Sequence, residues 1–147
     1  MEQFEQVEIL LVEDSPLDAE LTMTALSSGK VANRIVWVKD GAEALDYVFR
    51  RGAYAGREDL PPRLILLDLK MPKVGGMEVL KEIKSDGRLK KVPVVIMTSS
   101  DEESDVADTY ELGANSYVVK PVDFTALAEV TRQAGFYWLA INRGAQL

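Results

Sequence analysis

The sequence contains neither cysteine nor histidine among its 147 residues. Without cysteine it has no disulfide framework and no thiolate metal site, which suits a reducing cytosol. Without histidine it lacks the usual zinc ligands, a histidine-based catalytic triad and a phosphohistidine of its own. Side-chain chemistry in this chain is therefore left to carboxylates, hydroxyls and amines.

Positive charge and long apolar runs are also scarce. Lys and Arg number 17 against 24 Asp and Glu, and the formal net charge of −7 disfavours binding to a nucleic-acid backbone. The first eight residues are polar and acidic, unlike a signal peptide, and no apolar run approaches the ~20 residues that span a bilayer. We expect one cytoplasmic domain over residues 1–147, with neither DNA nor a membrane as a partner.

Short apolar runs alternate with stretches of helical periodicity along the chain. The first, third and fourth runs are nearly continuous, as in strands buried on both faces of a parallel sheet. Strict alternation of strand and helix indicates right-handed crossovers. The predicted fold is α/β: a single (βα)5, doubly wound, flavodoxin-like parallel sheet of five strands with helices on both faces. The runs are Val7–Val12, Ile35–Val38, Leu64–Leu67, Val92–Met97 and Ser116–Val119.

Two segments depart from this repeat. Glycines, charges and a proline pair predict a long surface loop at about residues 51–62, which is either functional or a plain excursion of the chain. The last helix ends in an aromatic-rich segment with Phe136, Tyr137 and Trp138, and its apolar groups cover more than one helix face. This surplus indicates either a partner surface or side chains that fold over the edge of the domain itself.

Polar side chains follow four of the five runs. Ligands of an open α/β sheet bind beyond the carboxyl ends of the strands, so we expect these side chains in one pocket. Adjacent carboxylates repel each other unless a cation intervenes, and oxygen ligands favour Mg²⁺ or Mn²⁺. A carboxylate placed there can attack a phosphoryl donor. Taken singly, each residue has a plainer role, such as Asp14 capping the first helix. The group comprises Glu13, Asp14, Asp68, Thr98 and Lys120.

The motifs around these residues together resemble those of a known family. They are Glu13-Asp14, Asp68-Leu69-Lys70-Met71-Pro72 with Gly75-Gly76, Thr98-Ser99 and Lys120-Pro121. The set is similar to the CheY-like receiver domain of response regulators, from about Val7 to the last helix. The resemblance implies a two-component signalling switch, not an enzyme, that accepts a phosphoryl group from a sensor histidine kinase with the help of Mg²⁺.

The resemblance also implies roles for individual residues. Asp68 would be the phosphoacceptor, and Asp14, Asp68 and the backbone carbonyl of Lys70 would hold the metal ion. Glu13 would hold it directly or through water. Lys120 would pair first with the acceptor carboxylate and then with the phosphoryl group.

A second group of implied roles concerns the switch. Thr98 would be the switch hydroxyl and Tyr117 its paired aromatic residue, although Tyr117 also reads as an ordinary packed strand residue. The family resemblance predicts a cis Lys120–Pro121 peptide bond. Gly75 and Gly76 fit a turn with unusual backbone angles.

The long loop, the segment Ala114-Asn115-Ser116-Tyr117 and the aromatic-rich end resemble a subset of these regulators, those that pair with bacterial phytochrome kinases. This implies a bacteriophytochrome as the kinase and a homodimer through helix 4, strand 5 and helix 5. A two-fold dimer is the commonest arrangement. Because no DNA-binding segment follows the last helix, we expect output through protein contacts.

Other functions remain open on the sequence alone. A Mg²⁺-dependent phosphohydrolase could use Asp68 as its nucleophile, but such enzymes usually carry a second Asp two residues on, where this chain has Lys70. A nucleotide- or flavin-binding module would need a glycine-rich first turn, which here reads Glu13-Asp14-Ser15-Pro16. A receiver used only for binding would not need the complete acidic set.

Overall fold

The computed structural model describes residues 6–57 and 60–145. Within these residues, parallel strands alternate with helices in the predicted order. The elements are β1 (Ile9–Val12), α1 (Pro16–Ser28), β2 (Ile35–Val38), α2 (Gly41–Phe49), β3 (Leu64–Leu67), α3 (Gly76–Ser85), β4 (Val94–Thr98), α4 (Glu103–Glu111), β5 (Ser116–Val119) and α5 (Phe124–Phe136). A π-helical segment, Tyr137–Ile141, continues α5.

The strands form one sheet in the order β2-β1-β3-β4-β5, with every neighbouring pair parallel. Strands β1, β3 and β4 lie inside the sheet, and every residue in them is buried. Their continuous apolar sequences follow from this position, because helices cover both of their faces. The edge strands β2 and β5 are only partly buried.

Alternate residues of the central strands supply two separate cores. Leu10 and Val12 of β1 join the core formed with α2 and α3, whereas Ile9 and Leu11 join the core formed with α1 and α5. This division follows from the two-residue period of a strand. It confirms the predicted doubly wound architecture with helices on both faces.

Polar residues between strands and helices begin three of the helices. The side chains of Ser15, Asp40 and Asp123 accept hydrogen bonds from backbone N–H groups in the first turns of α1, α2 and α5. Ser15 thus caps α1, which leaves the neighbouring Asp14 carboxylate without the capping role that its position also allowed.

One sequence-based expectation about the backbone is wrong. No peptide bond between described residues is cis, so Lys120–Pro121 is trans. The trans form is the intrinsically favoured one even before proline, by about 0.5–1 kcal/mol.

Aromatic contacts hold the first part of the loop predicted at about residues 51–62, and Glu58 and Asp59 within it lie outside the described residues. Tyr54 packs edge-on against Tyr47 with 5.0 Å between ring centroids, and the Arg57 guanidinium lies 4.0 Å from the Tyr47 ring. No helix in the described part of the chain is long and apolar enough to cross a bilayer.

Candidate functional site

The carboxyl ends of four neighbouring strands bring the predicted residues to one edge of the sheet. Val12 of β1 pairs with Leu67 of β3, so the residues that follow both strands begin at the same level. The Asp68 backbone N–H donates to the Val12 carbonyl at 3.0 Å, and the Lys120 N–H donates to the Thr98 carbonyl at 2.8 Å. The sheet register therefore positions these side chains before any contact between them forms.

Three carboxylates gather at this edge. Glu13, Asp14 and Asp68 each offer an oxygen, and these oxygens lie within 4.8 Å of one another. Glu13 and Asp68 are buried, whereas Asp14 is exposed and faces solvent. This all-oxygen donor set fits a hard divalent cation such as Mg²⁺ or Mn²⁺. The Lys70 backbone N–H donates to Asp68 Oδ1 at 3.1 Å, and a metal-binding role for the Lys70 carbonyl stays a prediction.

The Lys120 ammonium lies among three carboxylates. Its Nζ contacts Glu13 and lies 3.0 Å from both Asp18 Oδ2 and Asp68 Oδ2. Burial alone would lower the pKa of Lys120, but the hydrogen bond to Glu13 and the charge of Asp68 outweigh it and raise that pKa. Lys120 is therefore a fixed positive charge beside Asp68.

Asp18 was missed by the sequence reading. It lies in the first turn of α1, three residues after the cap residue Ser15, whose Oγ accepts from the Asp18 N–H at 3.2 Å. The Ser15-x-x-Asp18 spacing is a sequence signal for a carboxylate at a helix start. That signal reveals the helix boundary, whereas the contact with Lys120 depends on how α1 packs on the sheet.

Glu13 is held through both its side chain and its backbone. Burial raises its pKa to about 7, while the hydrogen bond to Lys120 acts in the opposite direction. The Ser15 N–H donates to its Oε2 at 3.1 Å. The Trp37 indole donates to its backbone carbonyl at 2.7 Å. Trp37 is partly buried against the core between the sheet and α1 and α5, and its bond fixes the peptide that carries Glu13.

Thr98 and Tyr117 occupy different environments. The Thr98 hydroxyl is buried and has no hydrogen-bond partner among the described residues. The partly buried Tyr117 hydroxyl donates to the Ser100 carbonyl at 2.8 Å, and Ser100 Oγ donates to Asp105 at 2.6 Å. In this state Tyr117 is thus tied to the segment that follows β4 and not to Thr98.

The loop after Asp68 needs glycine for a reason other than the expected one. Gly75 has an ordinary extended backbone with φ −74°, and the left-handed residue of this loop is Lys73, at φ 65°. A Cβ on Gly76 would lie 2.2 Å from the Asp68 carbonyl oxygen and 2.6 Å from Leu69 Cα. The expectation of unusual angles at both glycines is therefore wrong, and Gly76 is needed for the close approach of α3 to the backbone of Asp68 and Leu69.

The sequence left two roles open for the aromatic residues at the end of α5, a partner surface or packing over the edge of the domain, and the structure divides the residues between them. Phe136 and Tyr137 are exposed, at 52% and 46%. Trp138 is half-buried and packs against the core between the sheet and α1 and α5. The Tyr137 and Trp138 rings meet edge-on, with centroids 5.2 Å apart. Trp138 thus folds over the domain, whereas Phe136 and Tyr137 remain available to a partner.

Comparison with known proteins agrees with this geometry. Residues 9–132 match the response regulator receiver domain. The chain belongs to this family. Receiver domains are generally signalling switches and not enzymes, and the residues gathered here are those that the receiver motifs singled out in the sequence.

Two known regulatory proteins are similar to this chain over most of their length. The probable methanogenesis regulatory protein FilR2 of Methanothrix harundinacea (strain 6Ac) is 43% identical over 135 residues, 92% of this chain and 85% of FilR2. Response regulator Rcp1 of Synechocystis sp. is 39% identical over 132 residues, which cover 89% of this chain and 88% of Rcp1.

Solved receiver structures share the fold closely. The phosphorylated cyanobacterial phytochrome response regulator RcpA has a TM-score of 0.90 at 38% identity, with 97% of this chain and 100% of RcpA covered. The Mn²⁺-bound form of Rcp1 has a TM-score of 0.87 at 36% identity, over 94% of this chain and 98% of that one. The chain is therefore a receiver related to phytochrome response regulators.

Proposed function

We propose that this receiver is a cytoplasmic protein that accepts a phosphoryl group on Asp68 from a sensor histidine kinase, in a reaction that depends on Mg²⁺ or Mn²⁺. The observation that carries the proposal is the Asp68 carboxylate, 3.0 Å from Lys120 and within the acidic cluster. Supporting it, RcpA is described as phosphorylated and Rcp1 as Mn²⁺-bound. The output passes through protein contacts.

The chain's own groups can carry the transfer. An Asp68 oxygen attacks the phosphorus of a phosphohistidine, a P–O bond forms, and the P–N bond breaks with its electron pair leaving on the imidazole nitrogen. Glu13, Asp14, Asp68 and the Lys70 carbonyl would hold the divalent ion. When bound, that ion supplies positive charge for the phosphoryl oxygens.

Lys120 supplies the second positive charge. Its ammonium already contacts the attacking carboxylate, so a short movement would bring it to an oxygen of the transferred group. Because the carboxylates around Lys120 raise its pKa, Lys120 is protonated when it contacts Asp68. Its role is to compensate charge and not to transfer a proton.

The switch would use Thr98 and Tyr117. A new phosphoryl oxygen offers the unpartnered Thr98 hydroxyl its missing acceptor. Movement of Thr98 toward the acceptor would allow Tyr117 to exchange its bond to Ser100 for an inward position. Phosphorylation would thereby shift the α4–β5 face between two populations.

The surroundings of the site suit docking of the kinase. Exposed apolar side chains lie on the segments that follow β1 and β5, beside the acidic cluster. They are Leu17, Val122 and Phe124, at 54%, 97% and 56% exposure. The relation to phytochrome response regulators suggests a bacteriophytochrome as the kinase. We also propose a homodimer through α4, β5 and α5, with Phe136 and Tyr137 at its interface.

The test of this function is intact-protein mass after incubation with acetyl phosphate and Mg²⁺. We expect one added phosphoryl group on the wild type, none without Mg²⁺ and none on Asp68→Asn. Asp108→Asn, which removes an exposed carboxylate of α4, is the matched control and should be modified like the wild type. Equal modification of Asp68→Asn and the control would assign the phosphoryl group to another residue.

A further inference from the structure

We infer that Asp18 is a positioning residue that keeps Lys120 beside Asp68 when a divalent cation occupies the acidic cluster. The inference rests on the proposed function. The three carboxylates that contact Lys120 differ in whether they can also bind a divalent cation. Glu13 and Asp68 belong to the cluster that fits a cation, and Asp18 does not.

Two cations would otherwise compete for the same oxygens. Without a metal ion, the Lys120 ammonium is the positive charge that balances Glu13 and Asp68. When both carboxylates also serve a divalent ion, their attraction for Lys120 falls, and the two cations repel each other. Of the three carboxylates that contact Lys120, Asp18 then still interacts with the lysine alone and not with the divalent ion.

Local structure holds Asp18 in place for this role. Its N–H is bonded to the cap residue Ser15, and the next residue, Ala19, is fully buried against the sheet. A carboxylate in the first turn also interacts favourably with the N-terminus of its helix. The Asp18 side chain is only 29% exposed, so water screens its contact with Lys120 only in part.

The test compares Asp18→Asn with Glu20→Gln. Both variants remove one negative charge from α1, but Glu20 is exposed and lies outside the contacts of Lys120. The first readout is the ¹H–¹⁵N signal of the lysine ammonium groups at saturating Mg²⁺, with the Lys120 signal assigned through its loss in Lys120→Arg. We expect the signal in the wild type and Glu20→Gln and its loss to solvent exchange in Asp18→Asn.

The second readout is the rate constant of phosphorylation by acetyl phosphate at saturating Mg²⁺. A misplaced Lys120 should slow Asp18→Asn by about tenfold relative to Glu20→Gln. A merely structural role would lower the stability of the variant without removing the ammonium signal. Asp18→Ser, which is also compatible with a helix start, repeats the comparison if Asp18→Asn does not fold.

The outcomes separate this inference from the proposed function. The same Lys120 signal in Asp18→Asn and Glu20→Gln would overturn the positioning role, as would a faster reaction of Asp18→Asn, which would make Asp18 a competitor for the lysine. If the wild type takes no phosphoryl group, the proposed function fails, and the ammonium signal alone still decides whether Asp18 retains Lys120 beside a bound cation.

Discussion

The buried Thr98 hydroxyl lowers the stability of the folded state because it has no hydrogen-bond partner among the described residues. A buried hydroxyl without a partner costs about 1–3 kcal/mol compared with one that is hydrogen-bonded. Thr98 is fully buried and its hydroxyl has no partner among the described residues, whereas the equally buried Thr109 donates to the Val106 carbonyl at 2.9 Å. The two threonines therefore form a natural comparison.

We predict that Thr98→Val raises the free energy of unfolding by about 1 kcal/mol and that Thr109→Val lowers it by a similar amount. Urea unfolding of the three proteins measures both changes. Thr98→Val should still be phosphorylated but should leave the environment of Tyr117 unchanged on phosphorylation. A loss of stability in Thr98→Val would show that the hydroxyl already has a partner, such as a bound water.

For single residues, the sequence predicts the position of a side chain correctly when that residue directly follows a strand. Asp68 and Lys120 belong to that class, because a parallel sheet aligns the residues that follow its strands. Asp18 and Trp37 do not. Asp18 contacts Lys120 across 102 residues, and Trp37 donates to Glu13 across 24. Both contacts depend on helix packing and side-chain direction, which residue spacing does not encode.

The half-buried amine of Lys84 joins helix α3 to the segments that precede β4 and β5. Lys84 Nζ donates to the carbonyls of Lys90 and Val92 and to Asn115 Oδ1, at 3.0, 2.8 and 2.9 Å. These three acceptors are uncharged, and burial lowers the pKa of Lys84 from 10.5 to about 8. Between these two pH values the unfolded chain binds the extra proton, so the free energy of unfolding should rise with pH.

We predict that Lys84→Met removes this rise. The free energy of unfolding, measured in urea at several pH values between about 8 and 10, should increase more steeply for the wild type than for the variant. Lys81→Met, which removes an exposed lysine of the same helix, is the control and should keep the wild-type slope. Equal slopes for Lys84→Met and the control would contradict a lowered pKa at Lys84.

The elements themselves were largely predictable, and their ends were less so. Three of the five predicted strands match the observed bounds, and β1 and β4 begin two residues later than their apolar runs. The predicted last helix ran on through Trp138, but α5 ends at Phe136 and continues as a π-helical segment. A bond from the Asn142 N–H to the Tyr137 carbonyl closes that wider turn. Apolar spacing does not distinguish it from an α-helix.

At the scale of the whole molecule, the exposed aromatic residues at the end of α5 favour self-association. Large apolar side chains exposed close together indicate an interface, and aromatic residues often dominate the binding energy of one. Phe136 and Tyr137 lie side by side on the surface at the end of α5, and Ile141 follows at 59% exposure.

We predict that Phe136→Ser combined with Tyr137→Ser weakens dimerisation at least about tenfold. Sedimentation equilibrium over a range of concentrations measures the dissociation constant. Leu17→Ser removes a similarly exposed apolar side chain beside the acidic cluster and should leave the dimer intact. Dimers of unchanged affinity in the double variant would place the contact elsewhere.

Because all strands of the sheet are parallel, substitutions near the acidic cluster and substitutions at the opposite end of the sheet fall in separate parts of the molecule. The carboxyl ends of all five strands lie at the end of the sheet that carries the acidic cluster. The loop before β3 and the segment after α5 meet at the opposite end, where Arg63 donates to the Leu139 carbonyl at 2.8 Å. Substitutions at that far end fall on residues that do not contact Glu13, Asp68 or Lys120. On the proposed function, related receivers can therefore keep the phosphoryl chemistry while the surface that meets their partner proteins changes.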